Sequence, residues 1–350
     1  MNVFIRCCLF LLQLLAPFCQ SFGDFKLPAI QFPWGQQQST TDVRNTDNRA
    51  LQPGDTIAVI GASGNVGKLV ALRLSDTYNV NGIVRDTSSV DTFFEGRNDR
   101  INLYEANLLD EMSNYVNGEG CPPSLLEPLK KANAIVICTG TTAFPTKAWT
   151  KSGEEEVTND VLKALLGNNF SVKGAISSLD AQGLNTPNNI DALSNDFIIQ
   201  AWNEACQTTQ KRVIMLSSIG VQRRDSMPFP ILNACGVLDA KAAGEKSIQD
   251  SAQEGGYSFT IIRPGQLFGG PYDNNYYLGT IFELDKDAAT QDVVFGRGDE
   301  LLGDTLRSTL AEVTAQICEG DFARDMDFAV VNKKGESPVM DVVKERLGAL

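Results

Sequence analysis

The chain has 350 residues, a formal net charge of −13 and no histidine. The acidic balance argues against a nucleic-acid partner, because nucleic-acid phosphates require a basic protein face. The lack of histidine excludes a Ser-His-Asp triad, a histidine general base and a histidine-containing metal site within this chain.

The N-terminal region has the pattern of a targeting sequence. Arg6 precedes a short apolar run, Cys7–Leu15, and small residues follow before Phe22, which predicts a signal peptide over residues 1–21. Residues 22–53 are rich in polar residues and predict a disordered, transit-like extension. A signal peptide followed by Phe resembles the two-part plastid presequence of algae with secondary plastids, in which that Phe is the gate residue. The resemblance implies a plastid location, with secretion as the alternative.

The folded part begins with a strand that runs directly into three glycines and a helix. Thr56–Ile60 is a β-branched apolar run, and an apolar periodic segment ends at Leu74. In such a turn the glycines permit a tight bend, a close approach of the backbone to a pyrophosphate, and packing of the helix on the strand. The helix N-terminus adds N–H groups and a partial positive charge. The predicted dinucleotide contacts are Gly61, Ser63, Gly64, Asn65, Val66 and Gly67.

Strand and helix patterns alternate from Asp55 onward, which is typical of a doubly wound parallel sheet, the Rossmann type of α/β fold. Further strands are predicted at Val80–Val84, Ile101–Tyr104, Ala134–Cys138, Val213–Leu216, Phe259–Ile262 and Phe328–Val331. Helices are predicted at Asp239–Ile248, around Leu306 to Ile317, and from Ser337-Pro338 onward.

The predicted domain is a single dinucleotide-binding unit over residues 54–350. Residues 151–184 interrupt the alternation and predict a surface insertion with a short helix at Val157–Leu166. Residues 266–350 are expected to form a small C-terminal lobe. The five cysteines after the presequence are far apart and lack a CxxC pair, which argues against a disulfide framework or a zinc site. Cys138 is interpreted as a core residue, with a redox-sensing thiol as the alternative.

The residue at the end of the second strand distinguishes the two nicotinamide dinucleotides. An acidic side chain there accepts from the ribose hydroxyls of NAD, and a basic one pairs with the 2′-phosphate of NADP. Arg85 occupies this place, with Asp86 next to it. A guanidinium binds phosphate well, so Arg85 favours NADP over NAD. An exposed arginine without a ligand is the alternative.

Short polar segments follow the third and fourth strands at the same sheet edge. Asn107 and Leu108 stand where an adenine would rest, with an ordinary turn as the alternative. Thr139, Gly140 and Thr141 follow the fourth strand, at the crevice where α/β sheets bind ligands. All five are predicted cofactor contacts.

The last strand ends supply the candidates for chemistry. The hydroxyl of Ser218 would hold a substrate carbonyl oxygen, with a helix cap as the alternative. Lys241 would orient the cofactor ribose, or is only a surface charge. Pro264 and Gly265 turn the chain over the pocket and are predicted cofactor contacts.

These motifs resemble the atypical short-chain dehydrogenases/reductases, in particular the NAD(P)-binding, NmrA-like branch and its plant and algal plastid members. The resemblance covers about Asp55 to Asn332. It implies an NADP-dependent oxidoreductase in which Ser218 and Lys241 are catalytic. It rests on Gly61, Gly64, Gly67, Arg85-Asp86, Cys138–Pro145, Ser217–Gly220, Lys241, Arg263-Pro264-Gly265 and the run up to Tyr272.

The chain departs from this family at the catalytic tyrosine. Classical members carry a tyrosine four residues before the lysine, where this chain has Val237. Valine cannot transfer a proton, so a tyrosine of the following loop (Tyr272, Tyr276 or Tyr277) or water would supply it. Two functions remain open. One is a plastid reductase of a small carbonyl or alkene. The other is a non-catalytic, NADP-responsive sensor or assembly factor for a photosynthetic protein complex. Neither needs a metal, and no transmembrane segment is predicted in the mature chain.

Overall fold

The computed structural model describes residues 50–350 apart from 97–98, 117–119, 154 and 270–289, and apart from the side chains of 114–116. The described residues belong to one compact unit, Asn45–Leu350. Residues 1–49 of the predicted presequence and the three candidate tyrosines lie outside the described residues. Residues 50–53, the end of the predicted extension, are described, and Leu51 is buried in the core. Within the described part, none of the helices combines the length and apolar character needed to cross a bilayer.

The centre of the unit is an eight-stranded sheet with the order β3-β2-β1-β4-β5-β6-β10-β8. Its pairs are parallel except for β10 and β8, which are antiparallel. A second, two-stranded parallel sheet joins β7 and β9. The strands are β1 Thr56–Ile60, β2 Asn79–Val84, β3 Ile101–Glu105, β4 Ala134–Ile137, β5 Arg212–Leu216, β6 Ser258–Pro264, β7 Gln266–Phe268, β8 Asp292–Arg297, β9 Asp304–Leu306 and β10 Met326–Lys333.

Ten α-helices occur in the described residues, together with two short 3₁₀ turns, Lys147–Trp149 and Asn233–Cys235, and a π-helical segment, Asn188–Leu193. The last helix begins at Met340, so the predicted start at Ser337-Pro338 is too early. The helices are α1 Gly67–Leu74, α2 Leu108–Val116, α3 Pro123–Lys130, α4 Thr158–Gly167, α5 Val172–Ala181, α6 Ser194–Ala205, α7 Phe229–Leu232, α8 Val237–Gly255, α9 Arg307–Gly320 and α10 Met340–Gly348.

Both faces of the sheet are covered by helices, which confirms the predicted doubly wound fold. Successive strand side chains point to opposite faces. Ile57 and Val59 therefore pack in one apolar cluster with α1 and α9, while Ala58 and Ile60 pack in the other with α3 and α6. This double burial explains why the central strands are near-continuous apolar runs.

The connection after β4 folds as a helical hairpin. Helix α4 lies where a helix is predicted, and α5 follows it although no helix is predicted there. Trp149, Val157, Ala164 and Leu179 contribute to a separate small core beneath the two helices.

The strand order creates one crevice at the carboxyl edge of the sheet. The chain moves from β1 outward through β2 to β3, and then returns to place β4 on the other side of β1. The connections that follow β1 and β4 therefore diverge, and ligands of open α/β sheets bind at such a point. This geometry brings the glycine turn after β1 next to the polar residues after β4.

Candidate dinucleotide-binding site

The glycine turn forms the floor of the crevice. Gly61 has a φ of +78°, and a Cβ at this position would lie 3.2 Å from the Thr139 Cγ2 atom. A Cβ on Gly67 would lie 2.1 Å from the Gly61 carbonyl oxygen. Both positions therefore require glycine for the conformation and the close approach of strand and helix.

Gly64 is the glycine that leaves room for a ligand. Its amide donates to the Gly61 carbonyl at 3.0 Å, and its own carbonyl accepts from the Lys68 amide at 3.0 Å as the helix starts. Among the described atoms, a Cβ on Gly64 would meet only the Gly61 oxygen, at 3.3 Å. The residue is exposed and its neighbours Ser63, Asn65 and Val66 are half-buried. The turn therefore presents open backbone of the kind that cradles a pyrophosphate.

Arg85 is exposed at the end of β2, where the sequence predicts contact with a 2′-phosphate. Its Nη1 atom donates to the carbonyl oxygen of Lys151 at 3.0 Å, so the segment that leads into the helical hairpin adjoins this strand end. The neighbouring Asp86 accepts from the Ser88 amide and hydroxyl, at 2.9 and 2.7 Å. Asp86 thus stabilises a local turn, while Arg85 uses only its Nη1 donor in the contacts of the described residues.

Asn107 caps the helix that follows β3. Its Oδ1 atom accepts from the Leu109 amide at 3.3 Å, and its Nδ2 atom donates to Asp110 at 2.7 Å. These bonds are typical of an N-terminal helix cap. Contact of adenine with Asn107 or Leu108 stays a prediction.

The polar segment after β4 meets a buried ion pair that the sequence analysis missed. The Lys241 Nζ atom lies 2.7 Å from Asp191 Oδ1, and the Thr141 amide donates to Asp191 Oδ2 at 3.3 Å. A Cβ on Gly140 would lie 3.5 Å from both Asp191 Oδ1 and Lys241 Nζ. Burial raises the pKa of the Asp191 carboxyl, while the Lys241 ammonium and the Thr141 amide oppose that rise. Lys241 is therefore part of the crevice and not a surface charge.

Close helix packing places this pair. Asp191 lies on the π-helical segment, and Lys241 lies on α8. A Cβ on Gly244 would lie 2.4 Å from the Asp191 carbonyl oxygen, so only glycine permits this approach. Asn195 donates to the same carbonyl at 2.9 Å and accepts from the Thr139 hydroxyl at 3.0 Å. One signal for Asp191 exists in the sequence: it is a lone carboxylate among Ile190, Ala192 and Leu193.

The two serines after β5 have different environments. The Ser217 hydroxyl is buried and donates to Glu245 Oε1 at 2.5 Å. Glu245 also accepts two bonds from the buried Arg263, at 2.9 and 2.7 Å. Ser218 is half-buried, and its hydroxyl donates to the adjacent Ile219 carbonyl at 2.9 Å. Ser218 is thus the more accessible of the two hydroxyls.

The buried carboxylate of Asp299 holds the loop that carries Ser218. Asp299 accepts from the amides of Gly220, Gln222 and Arg223 at 2.7, 2.9 and 3.2 Å. The Arg223 side chain adds a bond at 3.0 Å. No local sequence pattern marks Asp299, because its partners lie far away along the chain.

Pro264 and Gly265 have structural roles in the described residues. The Pro264 carbonyl accepts from the Ile219 amide at 2.9 Å. A Cβ on Gly265 would lie 2.0 Å from the Gly303 carbonyl oxygen, so Gly265 permits β7 to approach β9. Contact of either residue with a dinucleotide stays a prediction.

Val237 is an apolar core residue at the start of α8. It is buried with Val221, Phe229 and Leu238. A packed valine therefore occupies the position at which classical short-chain dehydrogenases carry a tyrosine.

Cys138 lies directly after β4. Burial raises the pKa of its thiol, which keeps the sulfur protonated and disfavours a reactive thiolate.

Comparisons with known proteins agree with this geometry. A family model described as NAD(P)H-binding matches residues 61–319. A Bacillus halodurans structure assigned as an NAD-dependent epimerase/dehydratase is 18% identical, with a TM-score of 0.53, over 83% of this chain and 100% of that one. The oxidoreductase ylbE from Lactococcus lactis is 17% identical, with a TM-score of 0.52, over 84% of this chain and 96% of that one. These likenesses show the fold alone. No curated protein matches the chain.

Proposed function

Because the chain belongs to the NAD(P)H-binding family, we propose that it is an NADP-dependent oxidoreductase that reduces a small carbonyl or alkene in a plastid. The observation that carries this proposal is that three features lie along one edge of the sheet. The glycine turn follows β1, Arg85 follows β2, and Lys241 lies beside the segment that follows β4. A dinucleotide needs a pyrophosphate cradle and ribose contacts along such an edge.

The residues of the crevice fit the dinucleotide. The turn from Gly61 to Gly67 would hold the pyrophosphate through its open backbone at Gly64. Arg85 would pair with the 2′-phosphate and so select NADP over NAD. Residues Thr139–Thr141 and Lys241 would contact the nicotinamide ribose. NADPH, when bound, supplies a hydride.

The chain's own chemistry centres on orientation. Ser218, as the accessible hydroxyl after β5, would donate to a substrate oxygen. Lys241 would donate from its ammonium to ribose hydroxyls. Val237 can supply no proton, so the proton would come from Tyr272, Tyr276, Tyr277 or water.

Val237 also favours a second candidate function. A chain that keeps the cofactor crevice and lacks the usual proton donor suits a non-catalytic, NADP-responsive sensor or assembly factor. In that case the partner would be a photosynthetic protein complex instead of a small-molecule substrate. The plastid location of either function rests on the predicted signal peptide and Phe22.

A two-step measurement separates the two functions. The unit Asn45–Leu350 is titrated with NADPH and NADH, and the absorbance of bound NADPH is then followed with a panel of plastid carbonyl and alkene compounds. Tight NADPH binding with oxidation by one compound supports the reductase. Tight binding without oxidation by any compound supports the sensor or assembly factor, and lack of binding contradicts both.

A further inference from the structure

We propose that Asp191 is a positioning residue: it holds the Lys241 ammonium in place at the end of the crevice where the nicotinamide ribose would bind. This inference rests on the proposed cofactor function and deepens it. The two carboxylate oxygens of Asp191 contact two different segments of the chain. Oδ1 binds the Lys241 ammonium at 2.7 Å, and Oδ2 accepts from the Thr141 amide at 3.3 Å. One carboxylate therefore fixes both α8 and the segment after β4.

The accessible member of the pair is the lysine. The Asp191 side chain is 0% exposed, whereas the Lys241 side chain is 11% exposed to solvent. An ammonium has three donors, and Asp191 takes one in the described contacts. Gly140 has no side chain to cover the pair, since its missing Cβ would lie 3.5 Å from Nζ. A ligand in the crevice would thus meet Lys241, and Asp191 would act from behind it.

The surrounding fold is built to keep this arrangement. Asn195 donates a hydrogen bond to the Asp191 carbonyl. Gly244 allows the same carbonyl to pack closely against α8, because a Cβ there would clash with it. A buried ion pair is costly to desolvate and is weak evidence for stability, so well-packed apolar residues would serve a purely structural purpose as well. A role toward a ligand explains why the pair stands at the crevice.

Asp196 provides a matched control. It is a half-buried carboxylate at the start of α6 that also faces α8, where it accepts from Ser247 at 2.5 Å. Gln200 donates to its other oxygen at 2.6 Å. Asp196→Asn makes the same chemical change as Asp191→Asn at the same helix interface, away from Lys241.

The experiment measures affinity for two probes with the unit Asn45–Leu350. NADPH spans the whole crevice, and 2′,5′-ADP carries only the adenine half. We expect Asp191→Asn to weaken NADPH binding about tenfold or more, because an unpaired ammonium is no longer held in place. Binding of 2′,5′-ADP should stay within about twofold of the wild type, because that ligand ends before Lys241. Asp196→Asn should bind both probes as the wild type does.

Further variants test whether Asp191 acts through Lys241. Lys241→Met should show the same selective loss of NADPH affinity. The double variant should bind NADPH no more weakly than Lys241→Met alone, because the two residues form one unit. Urea unfolding of each variant verifies that it is folded. If Asp191→Asn alone does not fold, the comparison of the double variant with Lys241→Met carries the test, because a role through Lys241 predicts equal NADPH affinity for these two.

The outcomes distinguish this inference from the proposed function. If the wild type binds both probes and Asp191→Asn binds NADPH equally well, or loses both probes equally, Asp191 is not a positioning residue and the cofactor site stands. Additive losses in the double variant also overturn the inference. If the wild type binds neither probe, the proposed function itself fails.

Discussion

Arg263 donates two hydrogen bonds to Glu245, at 2.9 and 2.7 Å, and thereby ties the end of β6 to the middle of α8. The Arg263 side chain is 1% exposed and the Glu245 side chain is 7% exposed. Arg263 also pairs with Asp327 on β10. The ion pairs thus link three elements beneath the candidate site, and Ser217 joins them through Glu245.

Glu245→Gln should be strongly destabilising. The change leaves the Arg263 guanidinium buried with only part of its counter-charge, which costs about 3–5 kcal/mol when a buried pair is broken. Urea unfolding measures the loss. Lys246→Gln is the control, because its pair with Asp250 is exposed and such pairs contribute about 0–1 kcal/mol. Equal, small effects of both variants would contradict the structural role of the Glu245 pair.

Asp299→Asn should loosen the loop that carries Ser218. The buried carboxylate accepts from three backbone amides, and loss of its charge weakens each bond, for a total of about 1–3 kcal/mol. We expect a lower free energy of unfolding and faster proteolysis after Ser217. Asp225→Asn, at an exposed carboxylate in the same loop, should behave as the wild type. Equal proteolysis of both variants would show that Asp299 does not hold the loop.

Arg85→Asp should change the cofactor preference. Loss of the guanidinium removes the partner of the 2′-phosphate, and the new carboxylate repels it. NADPH affinity should fall at least about tenfold, and NADH affinity should change much less. Titration of both dinucleotides measures the ratio. An equal loss for the two would exclude the phosphate role of Arg85.

The plastid location makes a separate prediction about the N-terminal region. A fluorescent protein fused behind residues 1–53 should enter the plastid of an alga with a secondary plastid. The Phe22→Ala fusion should stay outside the plastid, whereas the Phe25→Ala fusion should enter it as the wild-type fusion does. Plastid entry of the Phe22→Ala fusion, or secretion of the wild-type fusion, would contradict the presequence prediction.

Local pattern predicts the sheet because the strands are buried on both faces. Runs such as Ala134–Ile137 are continuously apolar, so both their position and the parallel topology are visible in the sequence. The antiparallel β8 is not predicted, although it pairs with β10 at the sheet edge. Strands β7 and β9 have three residues each, which is too short for a periodic pattern.

Most of the candidate site is predicted at strand ends, Lys241 on α8 is predicted from the family resemblance, and Asp191 is missed. Gly61, Arg85 and Thr139 follow strands, and topology alone brings them to one edge. Asp191 contacts Lys241 across 50 residues of sequence, and its position depends on a π-helical segment and on close packing at Gly244. Such contacts arise from tertiary packing, which a motif search does not detect.

The measurement that most directly tests the account is a titration of the wild type, Gly64→Val and Gly167→Val with NADPH. Valine at Gly64 would occupy the space left for the pyrophosphate, whereas Gly167 is exposed at the end of α4 with no described atom within 4 Å of its missing Cβ. We expect saturable binding to the wild type and to Gly167→Val, and none to Gly64→Val. Unchanged binding to Gly64→Val, or no binding to the wild type, would contradict the cofactor site.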